Sequence, residues 1–159
     1  DSGGDTFDES CARIYWQLAE RHPDLPIPPA CMAATVEFRG DREALIQAVL
    51  NIAHNAALAL SPRMRDGEAR IVMRTRIARQ VTIGKRRWRL ALVLQVEDNG
   101  PGIPDDIRDR VFLPLVSGRE GGSGLGLTLA QHLVQQHEGM VEFDSTAGRT
   151  VFSIVIPLP

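Results

Sequence analysis

The chain has 159 residues, with 18 basic and 20 acidic side chains and a formal net charge of −2. Hydrophobic residues make up 43% and aromatics 5%, the composition of a globular domain long enough to bury its own core. This excludes disorder, collagen and a disulfide scaffold, and no apolar run approaches the ~20 residues of a membrane span.

The first ten residues, DSGGDTFDES, hold four acidic side chains and no basic one. No secretory leader is expected there, and the missing initial Met fits a piece of a longer protein. Cys11 and Cys31 lack CxxC spacing and suit a reducing, cytoplasmic setting. Residues 6–21 place Phe7, Cys11, Ile14, Tyr15 and Leu18 on one helical face. Four prolines within 22–29 make an extended or turning connector, and 32–38 reads as a short strand. The next helix is the clearest: Asp41 is a candidate N-cap, 42–60 carries a dense apolar pattern, and Ser61-Pro62 is expected to stop it. Residues 68–81 and 87–96 are strand-like and join around Gly84-Lys85 as a hairpin. A short helix is expected over 105–110, with Pro104 in its first turn. Residues 112–123 have no period. A second strong helix spans 125–136, with Gly139 as its stop, and strands at 140–143 and 150–156 flank Ala147-Gly148. Interleaved strands and helices with frequent hairpins predict an α/β two-layer sandwich, a mixed sheet with helices on one face.

Of the 14 glycines, seven fall between Gly100 and Gly126. They form neither a dinucleotide fingerprint nor a Walker A loop. Gly122, Gly124 and Gly126 are followed by Leu127, and Gly84-Lys85 is followed by Arg86. Two clusters remain. In DNGPGIP, Asp98 sits where a strand ends, and a carboxylate there can accept a hydrogen bond from an amine such as the 6-amine of adenine. Guanine presents a carbonyl in that place. In GGSGLGL, successive amides at a helix start can face phosphate oxygens. A third element lies upstream. Asn51 and Asn55 share a face of the first strong helix and offer oxygen ligands for Mg²⁺. Taken singly, these features also fit a surface turn, a loose loop and a solvated stripe.

Their order, N-x-x-x-N, then D-x-G-x-G, then G-x-G-x-G, resembles the GHKL superfamily of ATP-binding domains. NIAHN matches the N box, Asp98 to Gly102 the G1 box and Gly122 to Gly126 the G2 box. Phe112 and Pro114 in VFLPLVSGR resemble the F box, and GRTVFSIVIPLP resembles the last strand of histidine kinases. The resemblance implies ATP and Mg²⁺ as cofactors and a lid over 112–123. It implies Asp98 as adenine reader, Asn51 and Asn55 as metal and phosphate ligands, and Gly122, Gly124 and Gly126 as phosphate cradle. It further implies that Gly100, Gly102, Ile103, Phe112, Ser117, Ser123, Leu125 and Thr150 line the nucleotide site. Superfamily members that hydrolyse ATP use a Glu as general base at the position of Asn51; an amide cannot take that proton. This points to a histidine kinase over a GHKL-type ATPase, and a non-catalytic nucleotide-binding regulatory module stays open as an alternative. RTRIARQVTIGKRRWRLALVLQVEDNGPGIP and LVSGREGGSGLGL are most similar to nitrogen-regulation sensor kinases of the NtrB type. That implies a separate dimerisation domain carrying the phospho-acceptor histidine, an NtrC-type response regulator and a PII signal protein as partners. Residues 1–30 would then be the end of the dimerisation region and 31–159 the catalytic domain.

The sequence departs from the pattern in two places. Leu58 and Ala59 stand where many histidine kinases carry a Lys and an aromatic, so Arg119, and more weakly His54, is the candidate phosphate neutraliser. None of His22, His54, His132 and His137 lies in an H-box context; the last two read as surface residues. No His/Cys/Glu cluster has metal-ligand spacing.

Residues 63–89 hold ten basic and two acidic side chains. With Trp88 as the only interleaved aromatic, this reads as a solvated hairpin face, not a nucleic-acid site; an acidic protein partner fits better.

Overall fold

The computed structural model describes residues 41–60, 67–112 and 126–158, Arg42 by its backbone alone. The expected helix at 6–21, the strand at 32–38 and the Ser61-Pro62 stop lie outside the described residues, as does the proposed domain boundary. In chain order the elements are helix α1 (Arg42–Ala59), strands β1 (Ile71–Ile83) and β2 (Arg86–Asp98), a 3-10 turn (Arg108–Arg110), helix α2 (Gly126–Gln135), and strands β3 (Met140–Thr146) and β4 (Arg149–Leu158). The sheet order is β1-β2-β4-β3, and every described pairing is antiparallel. The expected α/β class holds. No helix among the described residues is long and apolar enough to cross a membrane.

The α1 helix starts as expected. Asp41 is extended at the N-cap, and its Oδ1 accepts the Ala44 N–H at 3.2 Å, satisfying one of the orphan donors of the first turn. Leu45, Val49, Ile52, Ala53, Ala56 and Leu60 are buried. The run of alanines lets α1 lie close to β2 and α2. Facing it, Leu92, Leu94 and Val96 of β2 and Phe152, Ile154 and Ile156 of β4 alternate onto the same side. Burying one such side chain contributes about 1.5–3 kcal/mol. Phe112, Phe143 and Phe152 close this core as a ring cluster with centroids 5.6–6.4 Å apart.

The β1–β2 hairpin turns through Gly84-Lys85, with Ile83 opposite Arg86. Pairing of β2 with β4 begins only at Leu90, so the hairpin end is an arm beyond the sheet. Val81 and Ile83 of the arm pack with Met140 on Ala91, Val93 and Val155, a second small core on the face away from the helices. At the tip, Arg86 lies 3.8 Å from Glu138, just before β3.

Two expectations change in detail. The segment 105–110 is too short for an α-helix. Ile107 N–H bonds to Pro104 O and Arg110 N–H to Ile107 O, the tighter i→i+3 pattern, and only the last three residues form a 3-10 turn. After α2 the left-handed residue is Glu138, with φ +60, not Gly139. Gly139 is required for a different reason. A Cβ there would lie 2.4 Å from Val155 O, so only glycine lets the helix end meet β4.

Candidate functional site

The end of β2 delivers Asp98 into the interior with only 3% of its surface exposed. A buried carboxylate must be hydrogen-bonded. Gly100 N–H donates to its Oδ1 at 2.9 Å. Asn99, between them, does something the sequence does not suggest. Its carboxamide accepts Arg70 N–H at 2.9 Å and donates to Glu68 O at 2.7 Å, stapling the loop to the start of β1.

The rest of the loop is moulded onto the β3–β4 hairpin. Gly102 has φ +91, and a Cβ there would sit 2.7 Å from Thr146 O. Gly148 N–H donates to Gly100 O at 3.1 Å. Ile103, buried, donates its N–H to Ser145 Oγ at 2.8 Å, and Ser145 Oγ lies 2.7 Å from Thr150 Oγ1. The Arg108 guanidinium donates to Ser145 O and pairs with Asp105 at 2.9 Å. Thr150 stands opposite Asp98 in the β2–β4 register. Five sequence candidates, Asp98, Gly100, Gly102, Ile103 and Thr150, thus meet in one place. Ser145 and Arg108, which hold them, are absent from the sequence reading. Hairpin register is the signal for Ser145: a two-residue turn at Ala147-Gly148 puts it directly across from Thr150.

The second part of the site lies along α1. Asn51 and Asn55 are half-buried, and Asn51 Oδ1 accepts Gln47 Nε2 at 2.8 Å. His54 and Asn55 are both engaged in interactions. A Cβ on Gly126, the first residue of α2, would meet Asn51 Cβ at 3.9 Å. The N-terminus of α2 therefore opens beside Asn51. At the other end of α1, Ala59 O would lie 3.2 Å from a Cβ on Gly100. The eight residues from Asn51 to Ala59 rise about 12 Å. So the second half of α1 spans from the buried carboxylate to a helix N-terminus, its C-terminal end suited to a base and its middle, at Asn51, to anionic groups.

Phe112 does not stand alone as a pocket wall. Its ring belongs to the core cluster, and its carbonyl accepts the Thr128 hydroxyl at 2.6 Å. Ser117, Arg119, Gly122, Ser123, Gly124 and Leu125 lie outside the described residues. His137, expected at the surface, is half-buried. Its Nδ1–H donates to Leu133 O at 2.9 Å and its Nε2 accepts Asp41 N–H at 2.9 Å, so a neutral ring ties the end of α2 to the start of α1. Among the described residues no group of His, Cys, Asp and Glu could hold a metal ion.

The signature of the "Histidine kinase-, DNA gyrase B-, and HSP90-like ATPase" family matches residues 40–159. The chain belongs to this family. The expected GHKL resemblance is thereby borne out, and the match begins one residue before the N-cap of α1. Within the family, the chain is 49% identical over 122 residues to the sensory histidine kinase/phosphatase NtrB of Escherichia coli O157:H7, covering 77% of this chain and 34% of that protein. The chain thus spans about a third of the length of the curated relatives it matches. Among solved structures, a mycobacterial sensor histidine kinase, MprB, superposes with a TM-score of 0.73 at 26% identity, over 97% of each chain. Full-length ShkA in complex with AMPPNP shares the fold, with a TM-score of 0.74 at 22% identity over 98% of this chain and 31% of that one.

Proposed function

We propose that this chain is the ATP-binding catalytic domain of a nitrogen-regulation sensor histidine kinase, acting in the cytoplasm. The observation that carries the reading is the placement of the second half of α1, whose rise of about 12 Å from Asn51 to Ala59 separates the start of α2 from the loop of buried Asp98. Asp98, positioned by Gly100 N–H, accepts the adenine 6-amine. The N-terminus of α2, together with Gly122, Gly124 and Gly126, presents amides to the phosphates. Asn51 and Asn55 would hold Mg²⁺, which takes oxygen ligands and keeps waters; Asn51 Oδ1, which accepts Gln47 Nε2 here, would be one such oxygen. Bound Mg²⁺ supplies neutralisation of phosphate charge, and Arg119 adds to it.

The reaction is phosphoryl transfer to a histidine on a separate dimerisation domain. A bond forms from the imidazole nitrogen to the γ-phosphorus as the bond to the ADP oxygen breaks. Asn51 cannot serve as the base that activates water, which favours transfer over hydrolysis. This chain's part is positioning and electrostatics. Relay to an NtrC-type response regulator and control by PII follow from the similarity to NtrB. Residues 1–30 fit the end of the dimerisation region.

The test is titration with a fluorescent ATP analogue, followed by incubation with radiolabelled Mg·ATP with and without the purified dimerisation domain. We expect binding by the wild-type chain, loss of most of it in a folded Asp98→Asn variant, and label only on the added domain. Unchanged affinity in the variant, or stable label on the chain alone, would overturn the reading.

A further inference from the structure

The His137 ring satisfies one backbone group at each of two helix ends. At the start of α1, the N–H of the N-cap Asp41 lies outside the helical ladder. A capping box would hold it with Glu or Gln three residues on, but that residue is Ala44. His137 Nε2 accepts the bond instead, at 2.9 Å. At the end of α2, His137 N–H turns to Val134 O at 3.0 Å. Leu133 O, which would take that N–H in a continuing helix, accepts the ring Nδ1–H at 2.9 Å. A neutral imidazole has one donor and one acceptor, so the two bonds together require the Nδ1–H tautomer. Beyond the ring the chain is seated on the sheet: Gly139 packs where a Cβ would lie 2.4 Å from Val155 O.

The same contact ties two helices that run antiparallel. Asp41 meets His137 at one end, and Asn51 faces Gly126 at the other. The rise from Asp41 to Asn51 is about 15 Å, and α2, ten residues long, matches it at about 15 Å. Between the ends the packing is apolar, with Leu45, Ala48, Ala130 and Val134 in one buried cluster. Burial of apolar surface is non-directional, and small alanines on both helices leave little to stop one sliding along the other. A hydrogen bond weakens steeply as its angle worsens, so it fixes an axial position. We propose that His137 is a positioning residue for the phosphate end of the nucleotide site. By bonding Asp41 it sets how far α2 lies along α1, and so places the α2 N-terminus against Asn51. The ring sits at the opposite end of α2 and touches no nucleotide. The inference rests on the nucleotide reading of the site.

The test compares Mg·ATP with adenosine, which has the base and no phosphates, by equilibrium titration of the full chain. Two amides divide the work of the ring. The Gln amide reaches as far as Nε2 and can accept Asp41 N–H; the Asn amide reaches only to the Nδ1 position and serves Leu133 O alone. One neutral hydrogen bond is worth about fivefold in an equilibrium. His137→Asn should therefore bind Mg·ATP about fivefold more weakly, with adenosine affinity changed less than about twofold. His137→Gln should bind both within about twofold of the wild type. Where the Asn variant does not fold, His137→Phe, which lacks the ring nitrogens, takes its place under the same criteria. Nitrogen NMR shifts of the wild-type ring should place its proton on Nδ1. Unchanged Mg·ATP affinity in His137→Asn, equal weakening of both ligands, or a Gln variant as weak as the Asn variant overturns the proposal. A wild-type ring proton on Nε2 overturns it as well. Failure of the wild type to bind either ligand would instead sink the nucleotide reading beneath it.

Discussion

The Asp98 loop and the β1–β2 arm are both polar, and both hang from the same strand. They solve the problem of polar groups in opposite ways. In the loop the polar side chains that shape it are bonded: buried Asp98 to Gly100 N–H, half-buried Asn99 to the backbone before β1, and buried Ser145, from the facing hairpin, to Ile103 and Thr150. In the arm and at its root, Arg79, Lys85, Arg87 and Arg89 are exposed. Contacts there lie at the surface, such as Arg87 Nε donating to Gln80 Oε1 at 3.0 Å and the Arg86 guanidinium 3.8 Å over the Trp88 ring. A buried network is costly to damage because its remaining members cannot turn to water; solvated charges can. The contrast argues that the loop is built to hold one geometry and the arm is held only by its apolar underside, Val81 and Ile83.

The sharpest way to break the contrast is Gly102→Ala. The left-handed backbone costs an L-residue about 1–2 kcal/mol. Overpacking against Thr146 O, 2.7 Å from the new Cβ, adds about 1–3 kcal/mol. The expected loss is about 2–5 kcal/mol of stability, read by denaturant unfolding, with nucleotide affinity falling as the loop shifts. A loss below about 0.5 kcal/mol would show that the loop is not held against the hairpin.

Such crowding is what the sequence could not show. Local signals were legible wherever one residue decides the outcome: Asp41 as cap, Gly84-Lys85 as turn, the alternation of β2 and β4. The site was legible because its motifs occur in a fixed order, which tied Asp98 to Asn51 and Gly126 across 75 residues without any knowledge of distance. The side chains that hold the site were not, because their partners are far along the chain. Arg108 reaches Ser145 from 37 residues away, and His137 reaches Asp41 from 96. Gly139 was read as a conformational stop when its role is a close approach to β4, a tertiary fact.

A matched substitution in the arm separates conformation from crowding. Gly84 also has a left-handed backbone, φ +63, but a Cβ there meets nothing within 4 Å. Gly84→Ala should therefore cost only the conformational part, about 1–2 kcal/mol, and leave nucleotide affinity unchanged. The difference between the two glycine variants measures how tightly the Asp98 loop is packed. Equal losses would mean that the 2.7 Å approach at Gly102 relaxes freely.

The smallest expected effect tests the arm's charges. Arg79 is exposed on β1, across from Leu90, in a stretch where residues 70–89 hold eight basic side chains and no acidic one. Removing one charge relieves like-charge repulsion and removes some stem packing, two terms of opposite sign. Arg79→Gln should change stability by less than about 0.5 kcal/mol, and any gain should shrink as salt rises, because exposed charges are screened within about 10 Å at 0.1 M. A loss of several kcal/mol would place Arg79 in a buried network after all and erase the distinction between arm and loop. A small gain at low salt would mean that the arm carries more positive charge than its own folding favours, as expected of a surface kept basic for a partner.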